Sequence, residues 1–363
     1  MPPLEVWEKV FLKDADFMQD THGSVGCVIC HGGDSSEEGK EAAHVGLVID
    51  PSPISCLACH SDIAHADEYS LHATQSGFIS AFEARGGDIS EGSPLMTAFG
   101  NHCAECHTTC GQCHVSRPDE LGGGLVSSHE FRETPSMQYN CIACHGARIG
   151  AEYLGENEGY PADVHWTEES MLCTDCHGTE LHGSGSLAEN RYSNPNAISC
   201  EDCHEDVWLE TGDNPQHEQH LSDLSCQVCH SIGYKNCFEC HIALDEEGQP
   251  CRVSEPSQIL FEIGLNPIRS SERPYEYVVL RHVPTCSGTC DFYGGNLFPD
   301  FDDVPTWKYA TPHNIQLNTP QNSSCDACHL NMDIFLTEDD IRPEELTANE
   351  DVIVTEFPEP VGE

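Results

Sequence analysis

Apolar residues recur at helical intervals in two stretches of the chain, residues 5–20 and residues 67–85. The apolar positions are Trp7, Val10, Phe11, Phe17 and Met18 in the first stretch, and Tyr69, Leu71, Phe78 and Phe82 in the second. This periodicity predicts two longer helices. Glycine and proline, 30 and 22 residues, are scattered through the remainder. They predict short helices joined by loops.

A different pattern occupies residues 242–324. Tyr275 and residues 277–280 form a strand-like apolar run between Pro274 and Pro284, which predicts a small β-containing segment near the C-terminus. The acidic tail, residues 331–363, contains one more strand-like piece at 352–357. Two alternatives stay open for the tail, a frayed end or a strand that docks on a neighbouring subunit.

Polar chemistry is concentrated in a repeated five-residue unit, CxxCH, the attachment motif for c-type haem. Residues 102–114 read HCAECHTTCGQCH and contain two complete units in tandem. Ten units occur in the chain, and we number them as motifs 1 to 10 in order: Cys27/Cys30/His31, Cys56/Cys59/His60, Cys103/Cys106/His107, Cys110/Cys113/His114, Cys141/Cys144/His145, Cys173/Cys176/His177, Cys200/Cys203/His204, Cys226/Cys229/His230, Cys237/Cys240/His241 and Cys325/Cys328/His329.

The spacing within each unit suits haem. Two thiols three residues apart lie on one side of a helical turn, so both can form thioethers to one porphyrin, and the next histidine can reach the iron. Zinc and iron–sulfur sites also use paired cysteines. Neither explains why a histidine follows every second cysteine, so we expect ten covalently attached haem c groups.

Ten haems would leave about 36 residues of protein for each, because the chain has 363 residues. That is too little for a conventional side-chain core, so we expect the porphyrins to form the core and folding to depend on them. Nine motifs crowd into residues 1–241, residues 242–324 hold none, and residues 325–363 hold the last motif and the tail. These three segments are the predicted domain divisions.

The formal charge is −47, from 62 acidic and 15 basic residues. This charge argues against binding to nucleic acids or anionic membranes, which requires basic patches. It favours solubility, with attraction of metal cations or basic partners as the alternative. No apolar run reaches 18 residues, so no transmembrane segment is expected. The first sixteen residues also lack the basic segment followed by an apolar run that marks a signal peptide.

A haem iron has two axial positions, and CxxCH fills one of them. Twelve further histidines are available for the second position at ten haems, which predicts bis-histidine irons that are closed to substrates. The favoured second ligands are His22, His44, His72, His129, His165, His182, His282 and His313. The remaining positions would be filled from His217, His220, His102 and His65, with His217 and His220 preferred. His102 is adjacent to Cys103 and would have to serve another haem. The six methionines offer a Met/His alternative.

Residues 102–183 contain CAECHTTCGQCHVS, CIACHGARIGAEYLGENEGYPADVHW and CTDCHGTELHG. This stretch resembles the multihaem c-type cytochromes of metal-respiring and syntrophic microbes, in particular extracellular ones that can polymerise into cytochrome nanowires. The resemblance implies short helices and loops wrapped around a row of closely spaced haems. It also implies an extracellular or cell-surface location, with the periplasm as the alternative. In such filaments one haem can take its second histidine from the adjacent subunit.

Three cysteines lie outside the motifs, at 251, 286 and 290. For a secreted chain we favour a disulfide from Cys251 to Cys286 or Cys290, with a Cys286–Cys290 bridge as the alternative. An eleventh haem on CSGTC is not expected, because Asp291 follows it in place of histidine.

The expected function is long-range extracellular electron transfer with no catalytic residues, and assembly into a filament is left open. Its partners would be identical subunits or other haem cytochromes and an extracellular electron acceptor. One alternative is a soluble periplasmic electron shuttle. Another is a multihaem reductase of nitrite, hydroxylamine or a sulfur oxyanion with one open haem iron. Several such families mark that iron with CxxCK, which does not occur in this chain.

Overall fold

The computed structural model describes residue 5 and residues 15–104, 108–119, 122–194, 197–208, 214–236, 241–244, 247–253, 258–284, 288 and 290–359. These residues form many short helices, as the glycine and proline pattern predicted, and a few short antiparallel strands. No helix among them is long and apolar enough to cross a membrane.

The α-helices are only three to nine residues long. They are α1 (Thr21–Ser24), α2 (Cys27–His31), α3 (Lys40–Ala43), α4 (Ile54–Leu57), α5 (Ser61–Asp67), α6 (Leu71–Thr74), α7 (Ser76–Glu83), α8 (Pro94–His102), α9 (Cys110–His114), α10 (Ile142–His145), α11 (Ala151–Tyr153), α12 (Val164–Thr167), α13 (Cys173–Cys176), α14 (Pro215–His220), α15 (Cys226–His230), α16 (Cys325–His329) and α17 (Leu346–Asn349).

Shorter helical turns fill several connections. Turns of 3₁₀-helix span Ala15–Gln19, Thr179–His182, Cys200–Asp202, Glu205–Trp208, Met332–Ile334, Glu338–Asp340, Pro343–Glu345 and Glu350–Val352, and π-helical turns span Met137–Cys141 and Gly146–Gly150.

The strands are β1 (Tyr234–Lys235), β2 (His241–Leu244), β3 (Pro250–Val253), β4 (Ile259–Leu260), β5 (Glu262–Leu265), β6 (Tyr277–His282) and β7 (Trp307–Tyr309). They form two two-stranded sheets, β1–β4 and β2–β3, and one three-stranded sheet in the order β5–β6–β7. All of these pairings are antiparallel. The sequence therefore placed the small β-containing segment correctly.

The chain divides into two compact units. Unit 1 comprises Met1–Phe78, Cys103–Gly146 and Leu172–Ala197, and unit 2 comprises Ile79–His102, Ala147–Met171 and Ile198–Glu363. Motifs 1 to 6 fall in unit 1, and motifs 7 to 10 fall in unit 2. This division differs from the three consecutive segments expected from motif density, because each unit is assembled from separated stretches.

Unit 2 has a side-chain core of its own around the three-stranded sheet. Ile263, Val279 and Tyr234 are fully buried there, and Phe335 and Val354 pack against them. A conventional side-chain core is thus present beside the motifs. The small number of residues per motif had predicted a core formed by porphyrins.

The acidic tail belongs to this core. The backbone amide of Val354 donates to Leu336 O at 2.9 Å, and Val352 and Val354 are buried. Residues 350–352 form a 3₁₀ turn rather than the start of a strand. The tail is therefore neither frayed nor extended as a free strand over the described residues.

The two longer helices predicted from periodicity are absent in that form. Residues 67–85 contain two short helices, α6 and α7, separated by Gln75 in a left-handed conformation with φ 52°. In the first stretch only residue 5 and residues 15–20 are described, and residues 15–19 form a 3₁₀ turn. The rest of that prediction lies outside the described residues.

Candidate haem sites

Local sequence shapes most of the CxxCH motifs into short helical turns. Motifs 1, 4, 8 and 10 each form an α-helix of five residues, from the first cysteine to the histidine. Thr109 begins the helix of motif 4 with a capping box shared with Gln112, and Ser324 caps the helix of motif 10. The two cysteines and the histidine of such a motif lie on neighbouring positions of one turn, as attachment to one porphyrin requires.

Motif 7 forms a 3₁₀ turn in place of an α-helix. Its 3₁₀ turn covers Cys200–Asp202 and ends before Cys203, whose backbone amide donates to Cys200 O at 3.3 Å. The backbone amide of His204 also donates to Cys200 O, at 2.9 Å, so the turn closes over the whole motif. Side chains three residues apart overlie one another in a 3₁₀ turn, so Cys200 and Cys203 still lie on one side of the chain. The spacing that attachment needs is kept in the tighter turn.

Burial also differs between the two cysteines of motif 7. Cys203 is exposed, whereas Cys200 is only partly accessible. The folded chain thus leaves the Cys203 thiol at the surface, although the motif predicts that this thiol is attached to haem. Other motif cysteines share this exposure, namely Cys27, Cys59, Cys144 and Cys325. The assignment of Cys203 to haem attachment stays a prediction that rests on the motif.

Seven motif histidines face a histidine from outside the motifs at nearly constant separation. The ring centroids are 6.0–6.2 Å apart in these pairs: His31 with His129, His60 with His22, His114 with His182, His145 with His72, His204 with His165, His230 with His217, and His329 with His220. Every pair joins one motif histidine to one other histidine, and both members belong to the same unit.

The constant separation is that of two imidazoles on one metal ion. Nitrogens bound at about 2.0 Å on opposite sides of a metal place the two ring centroids about 6.3 Å apart. The other aromatic contacts of the described residues range from 3.9 Å, for His22 on Phe131, to 6.4 Å. The interplanar angles of the histidine pairs range from 11° to 78°. A metal shared by two imidazoles would fix their separation and leave the angle free, because each ring could turn about its own metal–nitrogen bond.

The second ring nitrogen of many paired histidines is held by a hydrogen bond. Among motif histidines, Nδ1 lies 2.8 Å from Val48 O in His31, 2.6 Å from Arg132 O in His114, 3.1 Å from Gln316 O in His230 and 2.7 Å from Glu359 O in His329. A carbonyl can only accept, so Nδ1 carries the proton and donates it. The lone pair of Nε2 is then available for a metal.

The partner histidines are held in similar ways. His220 Nδ1 donates to Gln216 O at 2.7 Å, and His182 Nδ1 to Thr179 O at 3.3 Å. His165 Nδ1 lies 2.8 Å from Asp163 Oδ1, which also accepts from the His165 backbone amide. Asp163 Oδ2 accepts from Ile315 N at 2.8 Å, so this buried carboxylate fixes both the ring and the neighbouring loop. The hydrogen bond to Asp163 raises the pKa of the His165 ring.

Three other partner histidines are kept neutral by burial. Loss of hydration lowers the pKa of His72, His129 and His217. Neutral imidazole is the form that binds a metal, so burial favours the ligating state.

Two small open pockets each lie beside one histidine of a pair. The pocket in unit 2 is lined by Cys200, Glu201, His204, Val207, Leu221 and Cys226. The pocket in unit 1 is lined by His72 and, among others, by Tyr69, Leu71 and Leu181. Two facing histidines and the cysteine pair of the motif are the residues that would hold a covalently attached haem, with the cysteines as attachment points and the histidines as iron ligands.

First cysteines of different motifs lie in contact. Their thiols are hydrogen-bonded in three pairs: Cys56 with Cys110, Cys141 with Cys173, and Cys200 with Cys226. Further cysteines act on each other electrostatically, namely Cys30 with Cys56 and Cys59, Cys113 with Cys141 and Cys144, and Cys229 with Cys328. In unit 1 these contacts connect motifs 1, 2, 4, 5 and 6 in that order, and in unit 2 they connect motifs 7, 8 and 10.

Some predicted ligands have other surroundings in the structure. His282 Nε2 lies 2.8 Å from Glu345 Oε2, and its ring stacks on Trp307 at 4.9 Å. Its Nε2 is thus engaged by a carboxylate, and we do not retain His282 as a ligand. His102 Nε2 lies 2.9 Å from the Tyr293 hydroxyl, which agrees with its unfavourable position beside Cys103.

Four further histidines are not in the seven pairs. His44 is exposed at the end of α3, and exposed His65 has Nδ1 3.6 Å from Glu68. His177, of motif 6, has Nδ1 3.6 Å from Glu180. His313 Nδ1 donates to Thr311 O at 2.9 Å, the anchoring that the paired histidines also show, and its backbone amide donates to Glu152.

Part of the site lies outside the described residues. The residues of the site that the structure does not describe are Cys106, His107, Cys237 and Cys240, together with the side chain of His241. The proposed disulfides also fall there, because Cys286 and the side chain of Cys251 are not described.

Sequence reasoning missed the groups that orient the histidines. Asp163 could have been found, because an aspartate two residues before a histidine can both cap a helix and hold the ring. The carbonyl anchors have no sequence signal, since every residue has a carbonyl. No metal site built from three or more histidine, cysteine or acidic side chains occurs in the described part of the chain.

Comparison with known proteins gives no relative. No protein family, no curated protein and no solved structure matches the chain.

Proposed function

We propose that the chain is a decahaem c-type cytochrome that transfers electrons through haems with two histidine ligands. The observation that carries the proposal is the set of seven histidine pairs, each joining a CxxCH histidine to another histidine at 6.0–6.2 Å. Cysteines provide attachment, the motif histidine provides one axial nitrogen, and its partner provides the other. When bound, haem supplies an iron that accepts and releases one electron.

The histidine pairs favour electron transfer over bond chemistry. A reductase needs an iron with one axial position open to its substrate and proton donors close by. In the seven pairs both positions would be taken by imidazole, and hydrogen bonds to backbone or carboxylate hold many of the rings in place. These residues would therefore exclude substrates from a bound metal and would fix its surroundings in both oxidation states.

The cysteine contacts support transfer between sites within each unit. A first cysteine marks an edge of the group attached to it, so two first cysteines in hydrogen-bond contact bring two such edges together. Motifs 2 and 4, motifs 5 and 6, and motifs 7 and 8 are joined in this way. Electrons would pass between these neighbours.

We further propose that the protein works outside the cytoplasmic membrane, in electron transfer to an extracellular acceptor, and that it can assemble into filaments. This part rests on the resemblance of residues 102–183 to extracellular multihaem cytochromes. The formal charge of −47 is compatible with a soluble surface or with cationic partners. A monomeric periplasmic shuttle is the alternative.

Electron paramagnetic resonance of the oxidised protein tests the ligand assignment. We expect low-spin ferric signals, because two imidazoles give a strong axial field, and reversible reduction in several one-electron steps. A high-spin ferric signal from one haem in the native protein would instead indicate an open iron.

Substrate turnover separates the electron carrier from the reductase. The reduced protein is mixed with nitrite or hydroxylamine, and its haem absorption is followed. We expect no catalytic reoxidation. Rapid turnover of either compound would make the reductase the better assignment.

A further inference from the structure

Unit 2 contains a buried arginine whose charge is not balanced. Arg85 follows α7, and its side chain is 7% exposed. Its Nη1 donates to Ala81 O at 2.9 Å, the usual contact to the preceding turn. Its Nε is buried and has no hydrogen-bond partner among the described residues. A buried guanidinium with a free donor is costly unless an acceptor is supplied.

Lys308 brings a second positive charge to the same place. It is the central residue of β7, and its neighbours Trp307 and Tyr309 are buried on the opposite face of the strand. Burial, together with the positive charge of Arg85, lowers the pKa of Lys308 to about 8. The two cations are therefore close enough to repel each other.

The same sheet shows how a buried cation is normally compensated. Arg281 is opposite Lys308 in the β6–β7 pairing. Arg281 Nη2 donates to Glu152 Oε1 at 2.6 Å, and both side chains are almost fully buried. No corresponding ion pair to Arg85 or Lys308 forms within the described part of unit 2. Asp300 meets Arg85 through its backbone amide, which donates to Arg85 O at 3.1 Å.

This lack of compensation is unusual in such an acidic chain. Acidic residues outnumber basic ones by 62 to 15, so a carboxylate side chain was readily available to neutralise the two cations. Two like charges without a counter-ion would oppose burial. A planar guanidinium beside an ammonium is instead well suited to a carboxylate or another oxyanion.

We infer that buried Arg85 and half-buried Lys308 form a binding site for an oxyanion that is not an amino-acid side chain. The two sources of that chemistry are a haem propionate of this chain and a free anion such as phosphate. The propionate assignment rests on the proposed function, whereas the anion site does not.

The test compares Lys308→Met with Lys308→Arg in the full haem-loaded protein, and Lys40→Gln on the exposed face of α3 is the surface control. Haem content is measured first, so that a loss of haem is separated from a loss of the anion site. Redox titration and thermal unfolding with and without added inorganic phosphate are then recorded for each protein.

A propionate at the site predicts a lower midpoint potential for one haem in Lys308→Met, because a nearby cation stabilises the reduced state. Lys308→Arg and Lys40→Gln should retain the wild-type potential. A free anion predicts unchanged potentials, together with a phosphate-dependent rise of the unfolding temperature in wild type that Lys308→Met abolishes. The inference is overturned if the variants keep all haems but show neither effect.

Discussion

In several of the histidine pairs a hydrogen bond holds the ring nitrogen that faces away from the partner histidine. His31, His114 and His329 each direct Nδ1 at a backbone carbonyl. These hydrogen bonds fix the tautomer and orient the ring, so the metal-binding nitrogen does not have to be organised when the group attaches.

Replacement of one predicted ligand tests the pairing of His182 with His114. His182→Met should give one iron histidine and methionine ligands and raise the potential of that haem alone, because methionine ligation favours the reduced state. Redox titration with electron paramagnetic resonance measures the change. His102→Met is the matched control, since His102 contacts Tyr293 rather than a motif histidine. Equal effects of the two substitutions would contradict the pairing of His182 with His114.

The residue types of the site could be predicted from the sequence, but their assignment could not. CxxCH defines attachment and the first axial ligand, and the surplus of histidines indicates the second. Which histidine meets which motif depends on long-range packing, as in His22 with His60 or His72 with His145. His282 looked equally suitable by spacing, yet Glu345 occupies its Nε2.

A buried ion pair offers a second test at this scale. Glu152→Gln should destabilise unit 2 by about 3–5 kcal/mol, because Arg281 would remain buried without its counter-ion. Glu152 also accepts from the amide of His313, so the loop at that residue should loosen as well. Denaturant unfolding of the haem-loaded protein measures the loss, with Glu158→Gln at an exposed position as control. A loss no larger than that of the control would exclude this role.

At the scale of elements, one short helix can serve two motifs. α14 begins at Pro215 after the cap Asn214, and its three-residue spacing puts His217 and His220 on neighbouring positions of one face. His217 meets His230 of motif 8, and His220 meets His329 of motif 10. Burial raises the pKa of the Cys229 thiol and the electrostatic effect of Cys328 raises it as well, which agrees with this arrangement. A motif far away in sequence is thereby brought beside motif 8.

The three-stranded sheet carries a buried acid that makes stability depend on pH. Burial raises the pKa of Glu262 on β5 from 4.5 to about 8, and the carboxylate of Asp340 contributes to the rise. The folded protein therefore holds this proton more tightly than the unfolded chain does. Its contribution to stability is fully present below about pH 4.5 and is lost as the pH rises through about 8.

Glu262→Gln should remove that dependence. We expect the variant to exceed wild type in stability at about pH 9 by on the order of several kcal/mol, with little gain at about pH 5. Denaturant unfolding at the two pH values measures the difference. Glu158→Gln, at an exposed position, should leave the pH profile unchanged. A parallel profile for wild type and Glu262→Gln would contradict the assignment.

Element lengths show where local sequence stops being informative. Short helices follow from frequent glycine and proline, and β6 follows from the apolar run before His282. The periodicity of residues 67–85 suggested one helix, but Gln75 turns left-handed and divides it. The spacing of apolar residues cannot reveal this break, because Gln75 is neither glycine nor proline.

At the scale of the whole molecule, each unit gathers motifs from separate stretches of chain. Motif density along the sequence therefore did not predict the division into units. Unit 2 combines four motifs with a side-chain core, to which the C-terminal tail contributes Val352 and Val354. Because Val352 and Val354 are buried in unit 2 of the same chain, they are not available as a free strand for a neighbouring subunit.

Assembly can be examined directly. Electron microscopy of the native, haem-stained extracellular fraction should show ordered filaments if the resemblance to nanowire cytochromes extends to polymerisation. Single particles with the same haem content would favour the shuttle and leave the electron-transfer proposal intact. The two alternatives thus differ in assembly and not in ligand chemistry.

The central claim is covalent attachment of ten haems, and intact mass measured after denaturation tests it most directly. Thioether-linked haem survives denaturation, whereas zinc and iron–sulfur centres are released. The account predicts the mass of the 39.9 kDa chain plus ten haems, and one haem fewer in a Cys173→Ala/Cys176→Ala variant. The mass of the bare chain, for protein produced with haem-attachment machinery, would contradict it.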